Sequence, residues 1–441
     1  MVAAQHPTSV FQALRQRIAE ARQQTDRLFE IVRPEVLYDR PIPERHRIIF
    51  YIGHLEAFDW NLLNHRLFDL DSLSPEFDRL FAFGIDPVGG GLPSDQSSDW
   101  PSLESVHDYV RRVREKLDSN LEMAEFTTAG PDSDPETLLN VAVEHRLMHA
   151  ETLAYMLHQL PLASKIRPPH IPPLKTHSPA SEMIRIPEGI ATLGLSRSSG
   201  IFGWDNEFEA RQIKVPAFTI DRYMVTNREF LEFVNAGGYK TRSLWSEADW
   251  RWKAANEISH PVFWKGVNGE WYYRTMFDEI LLPLNWSVYV SHAEASAYAR
   301  WAGKGLPSEA QWHRAAYGTP RGTEDEYPWG DAPPDHARGN FDFKQWDPAP
   351  VNAFPAGDSG FGVSGLIGNG WEWTSTLLGP FPGFERFSFY PGYSADFFDG
   401  KHYVMKGGSA RTAASMLRRS FRNWFQPRYQ YVYAGFRCVS A

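Results

Sequence analysis

The proline-rich stretch at residues 161–182, PLASKIRPPHIPPLKTHSPASE, divides the 441-residue chain into two parts of unlike texture. Proline lacks an amide donor and disfavours helix, so this segment reads as an extended linker. Residues 8 to about 160, within a first domain at 1–160, carry helical periodicity, whereas residues 183–441 mix short β-like runs with glycine and hold fourteen of the sixteen tryptophans. A chain this long exceeds one ordinary hydrophobic core, and two textures predict two different domains, an α+β architecture overall.

Four helices are expected in the first part, at about residues 10–31, 44–70, 102–126 and 135–160, which suggests a four-helix bundle. The last is the best bounded: Asp134 suits the cap, Pro135 the first helical position, Glu136 the positive end of the dipole, and Pro161 stops it. The connection at 71–101, with GIDPVGGGLPSDQSSDWP, is long for a bundle loop, and long loops often wall a site. In the second part, FTIDRYMV, HYVMKGG and GFRCVSA read as strands punctuated by Gly, Pro and Asn.

Composition removes several classes of function. A formal net charge of −9 argues against nucleic acid as a partner. No apolar run reaches the ~18–20 residues of a membrane span, and the N-terminus lacks the apolar stretch of a signal peptide, so a cytoplasmic protein without a membrane partner is expected. Cys438 is the only cysteine, which excludes an internal disulfide and a cysteine-rich zinc site. Any metal must be held by nitrogen and oxygen.

Within the fourth expected helix, HRLMHAE places His145 and His149 one turn apart on one face, where both imidazoles can converge on one ion. The same spacing fits two hydrogen-bonded polar residues, and among 15 histidines such a pair arises readily by chance. The flanks, LLNVAVEHRLMHAETLAYMLHQL, are apolar, so two stacked neutral imidazoles there need a compensating partner, which a metal supplies. His54, in FYIGHLEAFDW, is the candidate third ligand, against the plainer reading of a core histidine bonded to a backbone carbonyl. His65 and His158 lie too far along their helices to join, and His107 is a further competitor. Three histidines suit zinc with an open position or iron(II) with open positions, and spacing does not choose between them. Glu144 and Glu151 are either partners of imidazole N–H groups or surface charges.

The early histidine and the later His-x-x-x-His-x-Glu pattern resemble the DinB-like domain of the ergothioneine-type nonheme iron sulfoxide synthases. The second part resembles the formylglycine-generating, or sulfatase-modifying, enzymes, a C-type-lectin-like fold. The stretches that carry this likeness include VPAFTIDRYMVTNREFLEFVNAGGY, WAGKGLPSEAQWHRAAYG, GNGWEWT and VMKGGSARTAASMLRRSFRNW. The resemblance implies Fe(II) as cofactor and hercynine, a thiol or selenol donor and O2 as small-molecule substrates. It also implies Asn423 and Trp424 as substrate contacts and a tyrosine as proton donor, with Tyr390, Tyr393 and Tyr403 as candidates. Clustered Trp and Tyr could line a pocket for a trimethylammonium group, although Trp371 and Trp373 read as core.

One departure from the family pattern stands out. Members that use γ-glutamylcysteine carry an aspartate directly after the Asn-Trp pair and an arginine four positions beyond it, where this chain has Phe425 and Tyr429. Two neutral aromatics cannot hold a zwitterion as a carboxylate and a guanidinium do. The resemblance therefore points to the selenoneine synthase branch, which takes a selenosugar. Cysteine or γ-glutamylcysteine as donor, a zinc-dependent DinB-type thiol transferase, and a noncatalytic ligand-binding module are the other readings; a formylglycine-generating enzyme would need cysteines that GGSARTAAS lacks.

Overall fold

The computed structural model describes residues 7–82, 92–124, 134–169, 174 and 176–440, in two compact units divided between Pro169 and His170. The first unit is helical: α1 (Pro7–Glu30), α2 (Ile48–Leu63), a short α3 (Pro75–Leu80), α4 (Leu103–Met123) and α5 (Pro135–His158). The four long helices are those expected, except that α2 is shorter than 44–70. It begins after Arg47 and passes at Asn64–Phe68 into a wider turn, closed by Asp69 in the left-handed region with φ 54°. The sequence 71–101 is not wholly a loop, because Ser74 caps α3 by accepting from the Phe77 N–H, with Pro75 at the first position. Residues 83–91 of that connection lie outside the described residues.

Burial follows hydrophobic patterning. Helices α1 and α4 each bury one stripe, Val106, Tyr109, Val113, Leu117 and Leu121 in α4. Helices α2 and α5 are apolar nearly all round and are buried nearly all round, packing on each other, on α4 and on α1. The stretch read as a linker at 161–182 is not free over its length: the Ile166 N–H bonds the Ile31 carbonyl at 2.7 Å, while Thr176 bonds Asn352 at 2.5 Å within the second unit. Its prolines lack donors, but Ile166 between them keeps its amide and uses it.

The second unit opens with β1 (Met183–Ile186), β2 (Gly189–Leu193), β3 (Arg211–Val215) and β4 (Phe218–Asp221), then α6 (Asn227–Asn235) and α7 (Glu247–Ala255). A three-stranded meander follows, β5 (Trp264–Val267), β6 (Glu270–Arg274) and β7 (Glu279–Leu281), before α8 (His292–Trp301) and α9 (Glu309–Tyr317). The remaining strands are β8 (Trp371–Leu377), β9 (Tyr403–Lys406), β10 (Asn423–Phe425), β11 (Ala434–Gly435) and β12 (Val439–Ser440). Strands β1, β4 and β12 form one sheet, and β10-β9-β8-β11 another. In the latter β10 runs antiparallel to β9, with Phe425 opposite Tyr403 and Trp424 opposite Val404. One core cluster of this unit gathers Trp312, Phe341, Val363 and Leu366 with Ile186, Phe218 and Ile220 of the first sheet, and Trp371 and Trp373 are buried as expected. Among the described residues no helix is long and apolar enough to cross a membrane.

Candidate metal centre

Helix α5 is fixed at its start by Asp134, whose carboxylate accepts from the Thr137 N–H at 3.0 Å. The helix periodicity then puts His145 and His149 on the face that meets α2, where His54 sits on the facing side. The three residues are 3%, 6% and 3% exposed for His145, His149 and His54, so their imidazoles are inside the bundle. His149 Nε2 lies 3.1 Å from His145 Nε2 and 3.3 Å from His54 Nε2. One ligand nitrogen from each falls within 4.8 Å of the other two, the one such cluster among the described residues.

Those separations can be tested against a metal. Adjacent ligands at a metal–nitrogen distance of ~2.1 Å stand about 3.0–3.4 Å apart, which is the spacing His149 Nε2 keeps to each of the other two. Protonation also fits. Burial pushes the His54 imidazole down to about 4, and burial with the neighbouring imidazoles holds His145 and His149 well below the usual range. All three are therefore neutral near pH 7, the form that ligates. His54 Nδ1–H donates to the Phe81 carbonyl at 2.7 Å, which leaves its Nε2 lone pair turned to the cluster. Ring planes are set by aromatics one turn away on α2: Phe50 stacks on His54 at 4.8 Å, and Phe58 on His145 at 3.4 Å.

The competing histidines do not join. His65 and His107 are exposed, and His158 is buried at the far end of α5. Glu144 and Glu151 are buried, 1% and 8% exposed, so the surface-charge alternative falls. Sequence reasoning missed the Phe81 carbonyl, which arrives from the 71–101 connection. It also missed an ion network one layer away: Arg146 donates to Glu56 at 2.9 Å and to Asp59 at 2.6 Å, all three buried. The signal was present, since Glu56 and Asp59 stand in the otherwise apolar FYIGHLEAFDW.

In the second unit the candidate substrate residues gather around β10. Asn423 and Trp424 are half-buried, and Trp424 meets Tyr393 edge-on at 5.4 Å and Phe397 at 5.6 Å. Tyr393 stacks on the buried Trp204 at 3.9 Å, and Tyr390 lies 5.7 Å from Tyr393. Tyr403 stands apart from these, its ring stacked on His292 at 3.7 Å. Phe425 and Tyr429 stack on each other, centroids 5.0 Å apart and planes 14° apart, and Tyr431 adds a third ring at 5.5 Å that the sequence reading did not single out.

Residues 169–441 match the sulfatase-modifying factor enzyme 1-like domain, and residues 17–153, which enclose all three histidines, match the DinB superfamily. A hercynine oxygenase of Mycolicibacterium smegmatis is 33% identical over 442 residues, covering 97% of this chain and 98% of that protein. The chain belongs to the hercynine oxygenase family. The hercynine oxygenase of Mycolicibacterium thermoresistibile is 40% identical over 252 residues, 56% of this chain and 55% of that protein. Ergothioneine biosynthesis protein 1 of Neurospora crassa is 27% identical over 494 residues, 92% of this chain and 55% of that one. In these last two the chain spans about half the length of the relative.

Proposed function

We propose that this member of the hercynine oxygenase family is an iron(II)- and O2-dependent enzyme that joins selenium to the imidazole C2 of hercynine, with a selenosugar as donor. The observation that carries the reading is the convergence of His54, His145 and His149 on one buried point. In this reading they hold the iron. Iron supplies, when bound, the redox chemistry with O2 that redox-inert zinc does not. The three histidines present neutral nitrogens and no thiolate, a donor set suited to iron(II).

The chain's own residues then bind and orient. Trp424 offers an aromatic face to the trimethylammonium of hercynine by cation–π attraction, and Asn423 a hydrogen bond. One of Tyr390, Tyr393 and Tyr403 donates a proton. Phe425 and Tyr429, mutually stacked, give the donor a flat apolar surface on which a sugar ring packs. A carboxylate pressed there loses its hydration without a partner, at a cost of several kcal/mol. γ-Glutamylcysteine is therefore a poor donor in this reading.

The test is anaerobic loading with iron(II), admission of O2, and mass spectrometry of hercynine with a selenosugar and γ-glutamylcysteine competing in one vessel. Selenoneine is the expected main product. Predominant capture of γ-glutamylcysteine would assign the sulfur branch, and absence of any carbon–chalcogen product would remove the activity altogether.

A further inference from the structure

Gly53 directly precedes the ligand His54 in the interior of α2, where glycine is a poor helix former. A Cβ placed there would stand 2.5 Å from Phe81 Cε2 and 2.6 Å from both Cδ atoms, closer than carbon atoms approach. Other aromatic rings surround that of Phe81. It is wholly buried, with Phe77 at 5.6 Å, Tyr109 at 6.1 Å, Trp100 at 6.2 Å and Phe50 at 6.3 Å. Phe81 also closes α3, its N–H bonded to the Phe77 carbonyl at 3.0 Å, so its own carbonyl belongs to a fixed turn. That carbonyl is the acceptor for His54 Nδ1–H.

We propose that Gly53 and Phe81 are positioning residues for the ligand His54: the slot left by the missing Cβ seats the Phe81 ring, and the seated turn holds the proton on Nδ1 so that Nε2 faces the metal. This rests on reading the three histidines as a metal centre. The contact is more than core packing because ring and carbonyl belong to one residue, so displacing the first moves the second. A histidine whose Nδ1 loses its acceptor can place its proton on Nε2 and is then blocked as a ligand.

The experiment uses the full chain with cobalt(II) alone as spectroscopic probe, together with histidine 15N correlation spectra of the metal-free protein. Wild type should bind one cobalt and show His54 as the Nδ1–H tautomer. Gly53→Ala should bind cobalt at least tenfold more weakly, with an altered ligand-field spectrum and a mixed His54 tautomer, while its circular dichroism stays that of wild type. Phe81→Leu, which keeps the carbonyl and frees space, should restore affinity when combined with Gly53→Ala; by itself it should weaken cobalt binding a few-fold. Should Gly53→Ala fail to fold, the tautomer and affinity of Phe81→Leu decide. Wild-type affinity and tautomer in Gly53→Ala, or in Phe81→Leu where Gly53→Ala does not fold, would overturn the proposal. No cobalt binding by wild type would instead overturn the metal centre on which it rests.

Discussion

Phe425 and Tyr429 lie side by side on and beyond an edge strand, and their chemistry can be exchanged without touching the core. Both are half-buried, and Phe425 is opposite Tyr403 in the ladder. Replacing Phe425→Asp and Tyr429→Arg together supplies a carboxylate and a guanidinium for the charged ends of a peptide donor. The double variant is expected to gain at least tenfold in kcat/KM for γ-glutamylcysteine and lose as much for the selenosugar, read in paired kinetics with hercynine saturating. Tenfold corresponds to ~1.4 kcal/mol of transition-state binding, less than one well-formed charged contact can contribute. Unchanged preference in the double variant would move donor choice to other residues.

Between the helices runs a network of charged pairs. Arg146 on α5 reaches Glu56 and Asp59 on α2; Arg114 on α4 bridges Glu56 to Asp26 on α1, each at 2.8 Å; and Arg22 on α1 bonds Asp118 on α4 at 2.6 Å. Burial would raise the Glu56 carboxyl, yet Arg146, Arg22 and Arg114 outweigh it and hold it down to about 2. At Asp59 burial wins, and its carboxyl is raised. Removing Arg146 takes the bonded guanidinium from the buried Asp59 and one of three from Glu56, so Arg146→Met should cost ~3–5 kcal/mol in urea denaturation of the metal-free protein. Arg146→Lys should recover only part of this, because an ammonium cannot fork to two carboxylates in one plane. A cost within 1 kcal/mol of zero for the Met variant would mean that the apolar packing of α2 and α5 alone sets their register.

Across the whole molecule, acid stability differs from that of a protein with exposed histidines only. Burial pushes His292 down to about 4 and keeps His313 well below the usual imidazole range. The unfolded chain protonates both near pH 6.5, so between 6.5 and about 4 it binds more protons than the fold does. Stability contributed by these groups is full above pH 6.5 and falls with pH through that window, by up to ~1.4 kcal/mol per pH unit for each. Asp205 opposes them: burial raises its carboxyl to about 6, so the fold keeps that proton first and gains as pH drops below 6. Urea denaturation of His292→Gln at pH 7 and pH 5 isolates one term. The variant should lose less stability than wild type on acidification, by on the order of 1 kcal/mol, and an equal loss would mean that His292 protonates in the fold.

What the sequence determined by itself is local. The cap at Asp134, the His145–His149 pair one turn apart, and the all-round apolar character that buries α2 and α5 depend on residues a few positions apart, which helix periodicity relates directly. The resemblance likewise rested on contiguous motifs. Which distant groups meet came with packing: the Phe81 carbonyl on His54, 27 residues away, the Arg114 bridge over 58 and 88 positions, and the stacking of Trp204 on Tyr393. A backbone carbonyl looks the same at every position in a sequence. Which one meets a given N–H depends on where the chain turns and on what ring, missing Cβ or charge lets two segments approach, and those conditions exist only after the helices have packed.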